Sequence, residues 1–226
     1  VLRRRPHHAL FETVLVENGR IRLFDRHLLR LRRSGASPRQ ISTVRALAGT
    51  WRQTATRPVV VRFDVAAGTP VGSRPRTPAP PAPVRLATVP GFDPADGTRE
   101  QKRADRAWAE RAEALATDAG ADGPLLVSPD GLVGETSRAS FFAIDAAGRV
   151  ATPPVAGILP GVTREWTRGA IRADEVALRT ADLTDVRAAF LTTAGRGIVP
   201  VTAIDGRPLG TDPRVEQLAV AWSLLR

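Results

Sequence analysis

Leu125-Leu126-Val127-Ser128-Pro129-Asp130-Gly131-Leu132-Val133-Gly134-Glu135, continuing as Thr136-Ser137-Arg138-Ala139-Ser140-Phe141-Phe142-Ala143-Ile144, sets the character of the second half of the chain. Leu125–Val127 is a short apolar run, Pro129-Asp130-Gly131 is a turn, and Leu132–Glu135 and Ser140–Ile144 are strand-like. Ala146-Ala147-Gly148 turns the chain again into Arg149–Thr152, so the stretch predicts a β-meander. Further on, Pro160-Gly161-Val162-Thr163 leads into a helix from about Arg164, and Ala188–Thr193 and Ile198–Ile204 read as strands. Val215, Leu218, Ala219, Trp222 and Leu225 share one face of a closing helix.

The first half reads as α/β. Glu12–Val16 is a strand, Glu17-Asn18-Gly19 a turn and Arg20–Phe24 a second strand, which together make a hairpin. Asp25-Arg26-His27 opens a helix that ends near Gly35, and Ile41–Thr54 is a second helix. Val59–Phe63 and Val84–Val89 are strands, and the Pro-rich segment from Pro75 to Pro83 between them reads as extended loop. Ala104, Trp108, Ala112, Leu115 and Ala119 recur at helical spacing, which puts Lys102 at the start of that helix or in the loop before it. A polar, glycine-bearing stretch separates the halves. The division suggested is an N-terminal domain 1–89, a linker 90–99 and a C-terminal domain 100–226.

Composition narrows the function classes. The chain has 226 residues, 42% of them apolar, enough for a substantial core. A net charge of +10 invites a nucleic-acid partner. The cations argue against one: they are spread from Arg3 to Arg226, only Arg3-Arg4-Arg5 is a tight run, and the seven Phe and four Trp do not alternate with them. No run approaches the ~18 apolar residues of a membrane span, so no membrane partner is expected. No basic-then-apolar leader is seen, and the expectation is a cytoplasmic protein. Cysteine is absent, and two of the three histidines are the adjacent His7 and His8, so no metal site is expected.

Of the 33 basic residues, only Lys102 is lysine. Arginine does not lose its proton in a protein, whereas a partly buried lysine can become a neutral amine that attacks a carbonyl or shuttles a proton.

Five blocks in order carry a family resemblance. They are Phe11-Glu12-Thr13 with Asn18-Gly19 and His27-Leu28-Leu29-Arg30-Leu31; Lys102 with Asp105-Arg106; Glu135-Thr136-Ser137-Arg138-Ala139-Ser140-Phe141-Phe142; Gly157-Ile158-Leu159-Pro160-Gly161-Val162-Thr163-Arg164; and Gly197-Ile198-Val199-Pro200-Val201, trailing into Ala203-Ile204-Asp205-Gly206. Together they resemble the fold-type IV pyridoxal-phosphate enzymes, the class IV aminotransferase family. The resemblance implies an α/β (α+β) fold with a small N-terminal α/β domain and a larger, β-rich C-terminal pseudo-barrel domain. It also implies a homodimer, pyridoxal 5'-phosphate as cofactor and a small-molecule substrate.

The resemblance assigns roles residue by residue. Lys102 matches the amine that holds the cofactor's aldehyde and later moves protons at the substrate carbon. Glu135 matches the carboxylate that keeps the pyridine nitrogen protonated. Arg30 matches the phosphate-binding arginine, and Gly161, Val162 and Thr163 match a second phosphate element, in which free N–H groups of a helix start and one hydroxyl meet the anion. Leu159 matches an apolar residue against the cofactor ring. Thr193 and Ala194 match a third phosphate contact. Many relatives have a hydroxyl where this chain has Ala194, which leaves a backbone donor there.

The family includes branched-chain and D-amino-acid aminotransferases and 4-amino-4-deoxychorismate lyase, which share the counterparts of Lys102, Glu135 and Arg30. Here ten residues precede Phe11, a short start that resembles the lyase module. Phe11 stands where several aminotransferases have Tyr, and Ser140 replaces a frequent Asn. The short start, Phe11 and Ala194 favour the lyase, with a class IV aminotransferase as the alternative.

Overall fold

The computed structural model describes residues 9–225, so the Arg3-Arg4-Arg5 run and the His7-His8 pair lie outside the described residues. The chain divides into two units: residues up to Ala79 with Gln101–Asp105, and Pro80–Glu100 with Arg106–Leu225.

In the first unit β1 (Leu10–Glu17) turns through Asn18-Gly19 into β2 (Arg20–Ile21). Asn18 (φ 51°) and Gly19 (φ 69°) both take the left-handed conformation that a two-residue hairpin loop needs to match the twist of its strands. The second strand is shorter than the expected Arg20–Phe24, because Leu23 also takes a positive φ and α1 (Phe24–Arg33) begins behind it. α2 (Pro38–Thr54) starts ahead of the expected Ile41. Ser37 and Gln40 exchange side-chain and backbone hydrogen bonds around its first turn, with Pro38 preset for the helix.

β3 (Val59–Val65) and β4 (Gly72–Arg76) complete a four-stranded sheet in the order β2-β1-β3-β4. β4 overlaps the segment read as loop, and Pro75 lies opposite Val61 in the ladder. Proline is accommodated because β4 is the outer strand, where a missing N–H can face away from the ladder. Leu10, Val14 and Val16 of β1 and Val61, Phe63 and Val65 of β3 pack against Leu28 and Leu31 of α1 and Val44 and Ala48 of α2. Glu12 pairs with Phe63 and so stands in the middle of this apolar face.

The second unit runs β5 (Val84–Pro90), α3 (Ala107–Asp118), β6 (Gly123–Val127), β7 (Ser140–Asp145), β8 (Val150–Thr152), α4 (Val162–Ile171), β9 (Asp174–Glu175), β10 (Val186–Thr193), β11 (Gly197–Ile204), β12 (Arg207–Pro208) and α5 (Pro213–Leu224). Its strands form a curled, eight-stranded half-barrel sheet in the order β6-β5-β11-β10-β7-β8-β9, with β12 on β11. The division at Ala79/Pro80 falls ahead of the 90–99 stretch suggested as a linker, because β5 pairs in parallel with both β6 and β11.

Leu132–Glu135, expected as a strand, makes only isolated bridges, Val133 to Val127 and Leu132 to Arg179. Gly134 interrupts the run; its backbone lies so close to Phe92 that a Cβ would stand 2.7 Å from the ring. Among the described residues no helix is long and apolar enough to cross a membrane.

Gly157 marks the tightest backbone approach. It has φ +68°, and a Cβ there would lie 2.1 Å from the carbonyl oxygen of Asp93. Gly120 has a similar φ of +73° but open space around it. Gly157→Ala should therefore cost about 3 kcal/mol or more, through a strained backbone plus a clash, against about 1–2 kcal/mol for Gly120→Ala. Urea unfolding of the two variants checks this, and equal losses would refute the close packing on Asp93.

Candidate active site

Within the first unit, main-chain bonds place Lys102 beside β1. The Phe11 N–H donates to the Lys102 carbonyl at 2.9 Å and the Ala104 N–H to Ala9 at 2.8 Å, while Leu10 bridges to Arg103. Lys102 is half-buried and precedes α3 as loop, with its Nζ 4.8 Å from the centre of the Phe11 ring. The Arg62 guanidinium carbon lies 3.8 Å from the same ring centre.

Glu12 gathers the cations. It is 1% exposed, and its Oε1 accepts from Arg30 Nη2 at 2.6 Å, from the Thr13 N–H at 2.8 Å and from His27 Nδ1 at 3.2 Å. Its Oε2 accepts from Arg30 Nε at 3.1 Å. His27 and Arg30 are three residues apart on α1, so both reach from one helix face toward β1. Burial pushes the Glu12 carboxyl up, but Arg30, the His27 contact and the Lys102 charge outweigh it and hold the group well below the usual carboxylate range. Burial pushes His27 down, and despite the pull of Glu12 the net direction is below its ordinary value of 6.5. A neutral imidazole facing an ionised carboxylate must carry its proton on Nδ1, which leaves Nε2 as an acceptor.

The second unit holds the other residues singled out in the sequence. Glu135 is buried, and its carbonyl accepts from the Leu126 N–H at 3.0 Å, which ties it to β6. Its Oε1 accepts from the Leu159 N–H at 2.9 Å, and Arg99 lies within range of its charge. Leu159 is half-buried beside Ile158, which sits in the core with Val89, Phe92 and Leu126.

Gly161 precedes α4, and no side chain caps the helix. A Cβ on Gly161 would meet Ser140 Oγ at 2.9 Å and Arg164 Cβ at 3.0 Å, so any side chain there would force its neighbours to shift. Val162 and Thr163 open α4, earlier than the expected Arg164; Thr163 is 2% exposed and its hydroxyl has no partner. Thr193 ends β10, and Ala194 lies in the turn toward β11. Uncapped helix N–H groups beside an orphaned hydroxyl are a donor set suited to a phosphate monoester. A buried carboxylate such as Glu135 suits a protonated ring nitrogen.

Thus Arg30 and Lys102 belong to the first unit, and Glu135, Leu159, Gly161, Val162, Thr163, Thr193 and Ala194 to the second. Three residues of the arrangement were given no role from sequence. Glu12 and His27 occur in a motif, and the available signal was a charge set into the apolar alternation of Leu10, Val14 and Val16. Thr192 is the third. It pairs with Ser140 across β10 and β7 and is buried with an unpartnered hydroxyl, and one threonine among several in sequence carries no mark.

The family model described as amino-transferase class IV matches residues 9–204. Among solved structures the chain is similar to a protein from Legionella pneumophila provisionally described as a 4-amino-4-deoxychorismate lyase, at 22% identity over 97% of this chain and 92% of that one, with a TM-score of 0.85. It is also similar to a hypothetical aminotransferase from Mycobacterium tuberculosis in its PLP-bound form, at 25% identity over 94% and 87% of the two chains, TM-score 0.79. A branched-chain aminotransferase from Thermoproteus uzoniensis, solved with norvaline, gives 21% identity over 96% and 84%, TM-score 0.83. No curated protein matches the chain.

The buried Glu12–His27 pair makes folding sensitive to acid. Below the ordinary His27 value of 6.5 the unfolded chain takes up a proton that the folded one refuses, and below the ordinary Glu12 value of 4.5 it takes up another. Both steps favour unfolding, so stability is fully present above about pH 6.5 and falls as pH is lowered. Denaturant titrations across this range should show the upper step in the wild type and lose it in His27→Asn. A wild-type stability flat from about pH 8 to about pH 5 would contradict the buried neutral histidine.

Proposed function

The chain belongs to the class IV aminotransferase family, and from that premise we propose that it is a pyridoxal-phosphate-dependent lyase, homodimeric and cytoplasmic, that converts 4-amino-4-deoxychorismate to 4-aminobenzoate and pyruvate. The donor chemistry of both units fits the cofactor. Taken by itself, the first unit offers Arg30 to a phosphate, and the second, taken by itself, offers the amides of Gly161, Val162 and Thr163, the Thr163 hydroxyl and backbone donors at Thr193 and Ala194. Glu135 would hold the ring nitrogen, and Leu159 would lie against the ring.

When bound, pyridoxal phosphate supplies an aldehyde for the substrate amine and a conjugated ring that takes up the electron pair left at the amine-bearing carbon. Lys102 does the proton work. Its amine takes the proton from that carbon, which lets the neighbouring carbon–oxygen bond to the enolpyruvyl group break. Returning the proton to the departing three-carbon fragment gives pyruvate, and the six-membered ring becomes aromatic. No water is consumed, and the atoms of substrate equal those of the two products. Glu135, held by the Leu159 N–H, keeps its position through this cycle.

The observation that carries the lyase reading is Phe11. Its ring lies 4.8 Å from the Lys102 amine and 3.8 Å from the Arg62 guanidinium carbon, so the reacting nitrogen stands beside an apolar aromatic ring that also meets a second cation. That surface suits a flat carbocyclic carboxylate. An aminotransferase is the second reading, favoured by the likeness to the Mycobacterium tuberculosis protein. It would use the same first proton removal.

Incubation with aminodeoxychorismate should release 4-aminobenzoate and pyruvate in equal amounts. Turnover of amino acids with 2-oxoglutarate or pyruvate, and none with aminodeoxychorismate, would replace the lyase by the aminotransferase. Borohydride treatment of the loaded protein should leave a pyridoxyl label on the peptide holding Lys102. Glu135→Gln should slow turnover more than ~100-fold, about 2.7 kcal/mol of transition-state stabilisation, while changing cofactor affinity far less. Near-normal turnover in that variant would remove Glu135 from the reaction.

A further inference from the structure

We propose that Glu12 and His27 are positioning residues for the cofactor's phosphate, acting through Arg30. The inference rests on the reading of Arg30 as a phosphate ligand. It starts from the placement of Glu12 in a strand face otherwise made of Leu10, Val14 and Val16, opposite Phe63. A carboxylate there costs desolvation that an apolar residue would avoid, so packing does not account for it.

What Glu12 does is fix a guanidinium. Both of its oxygens receive N–H groups of Arg30, at 2.6 and 3.1 Å, and a two-point contact sets the plane of the guanidinium as well as its position. His27 then fixes Glu12. It donates from Nδ1 to Oε1 one helical turn before Arg30, and the Thr13 N–H reaches the same oxygen, so the carboxylate cannot rotate away. The charged groups around the imidazole are Glu12 on β1, Arg30 on α1 and Lys102 in the 101–105 segment. Glu12 is the only acid among them and offsets both cations. A long arginine side chain held this way loses little freedom when an anion binds, and that is the source of the expected affinity.

The test is a titration of the cofactor-free full chain with pyridoxal phosphate and, separately, with pyridoxal, which lacks the phosphate. Glu12→Gln and His27→Leu should each weaken pyridoxal phosphate by about tenfold and leave pyridoxal unchanged. His27→Asn should bind like the wild type, because its amide N–H takes the place of Nδ1–H. Should His27→Leu fail to fold, His27→Gln serves, since its amide matches Nε2 instead. In an Arg30→Ala background, Glu12→Gln should add nothing. Equal losses for both ligands, or additive losses with Arg30→Ala, would overturn the proposal and leave a structural role. Normal binding by Glu12→Gln and His27→Leu beside a weakened Arg30→Ala would overturn it alone. Normal binding by Arg30→Ala would overturn the phosphate reading and the proposal together.

Discussion

A carboxylate buried among Leu10, Val14 and Phe63 is the constraint around which the first unit is arranged. Alone it would have to take up a proton or leave the core. The chain answers by delivering donors to it. The tight turn at Asn18-Gly19 and the left-handed Leu23 set where α1 begins, and that start puts His27 and Arg30 on the face toward β1. The 101–105 segment is bonded to the opening of β1 and brings the one lysine alongside. Removing one partner from such a buried set typically costs ~3–5 kcal/mol, whereas replacing the whole set by apolar residues is often neutral or stabilising. Such a cluster is better explained by what it holds in place than by what it adds to folding.

The second unit builds its candidate anion site by the opposite means. There, side chains are left out rather than brought in. Gly161 has no Cβ to strike Ser140, α4 has no capping side chain, and Thr163 and Thr192 keep buried hydroxyls without partners. Arg164 lies within the first turn of α4, yet its guanidinium is engaged by the Pro153 carbonyl at 2.6 Å and by Glu175 at 2.7 Å. The positive field at the start of α4 therefore owes much to its amides and to the helix dipole. Amides cannot titrate, so this element keeps its character over the whole pH range in which the Glu12 cluster changes.

Much of this was legible in the sequence where local chemistry and the long-range fold agree. Asn18-Gly19 gave the hairpin, the runs at Val59, Val84 and Ser140 gave strands, and Lys102 stood out because every other side-chain cation is arginine. The misreadings arose where a neighbour distant in sequence decided the outcome. Pro75 joins a strand because β3 lies beside it. Gly134 breaks one because Phe92 presses on it. Residues 80–100 belong with the second unit because β11, more than a hundred positions later, pairs with β5. The roles suggested for Glu12 and His27 were hidden for a related reason: a motif shows that residues recur together, not which side chains meet.

The proline in the outer strand has a consequence for life in concentrated solution. β4 closes one side of the four-stranded sheet, and an open sheet edge is a template on which another extended chain can pair. Pro75 has no N–H to offer an incoming strand, and Arg74 and Arg76 on either side are exposed and cationic. On the opposite side β2 is two residues long, too short to guide such an addition. The first unit is thereby guarded at both margins against edge-to-edge aggregation.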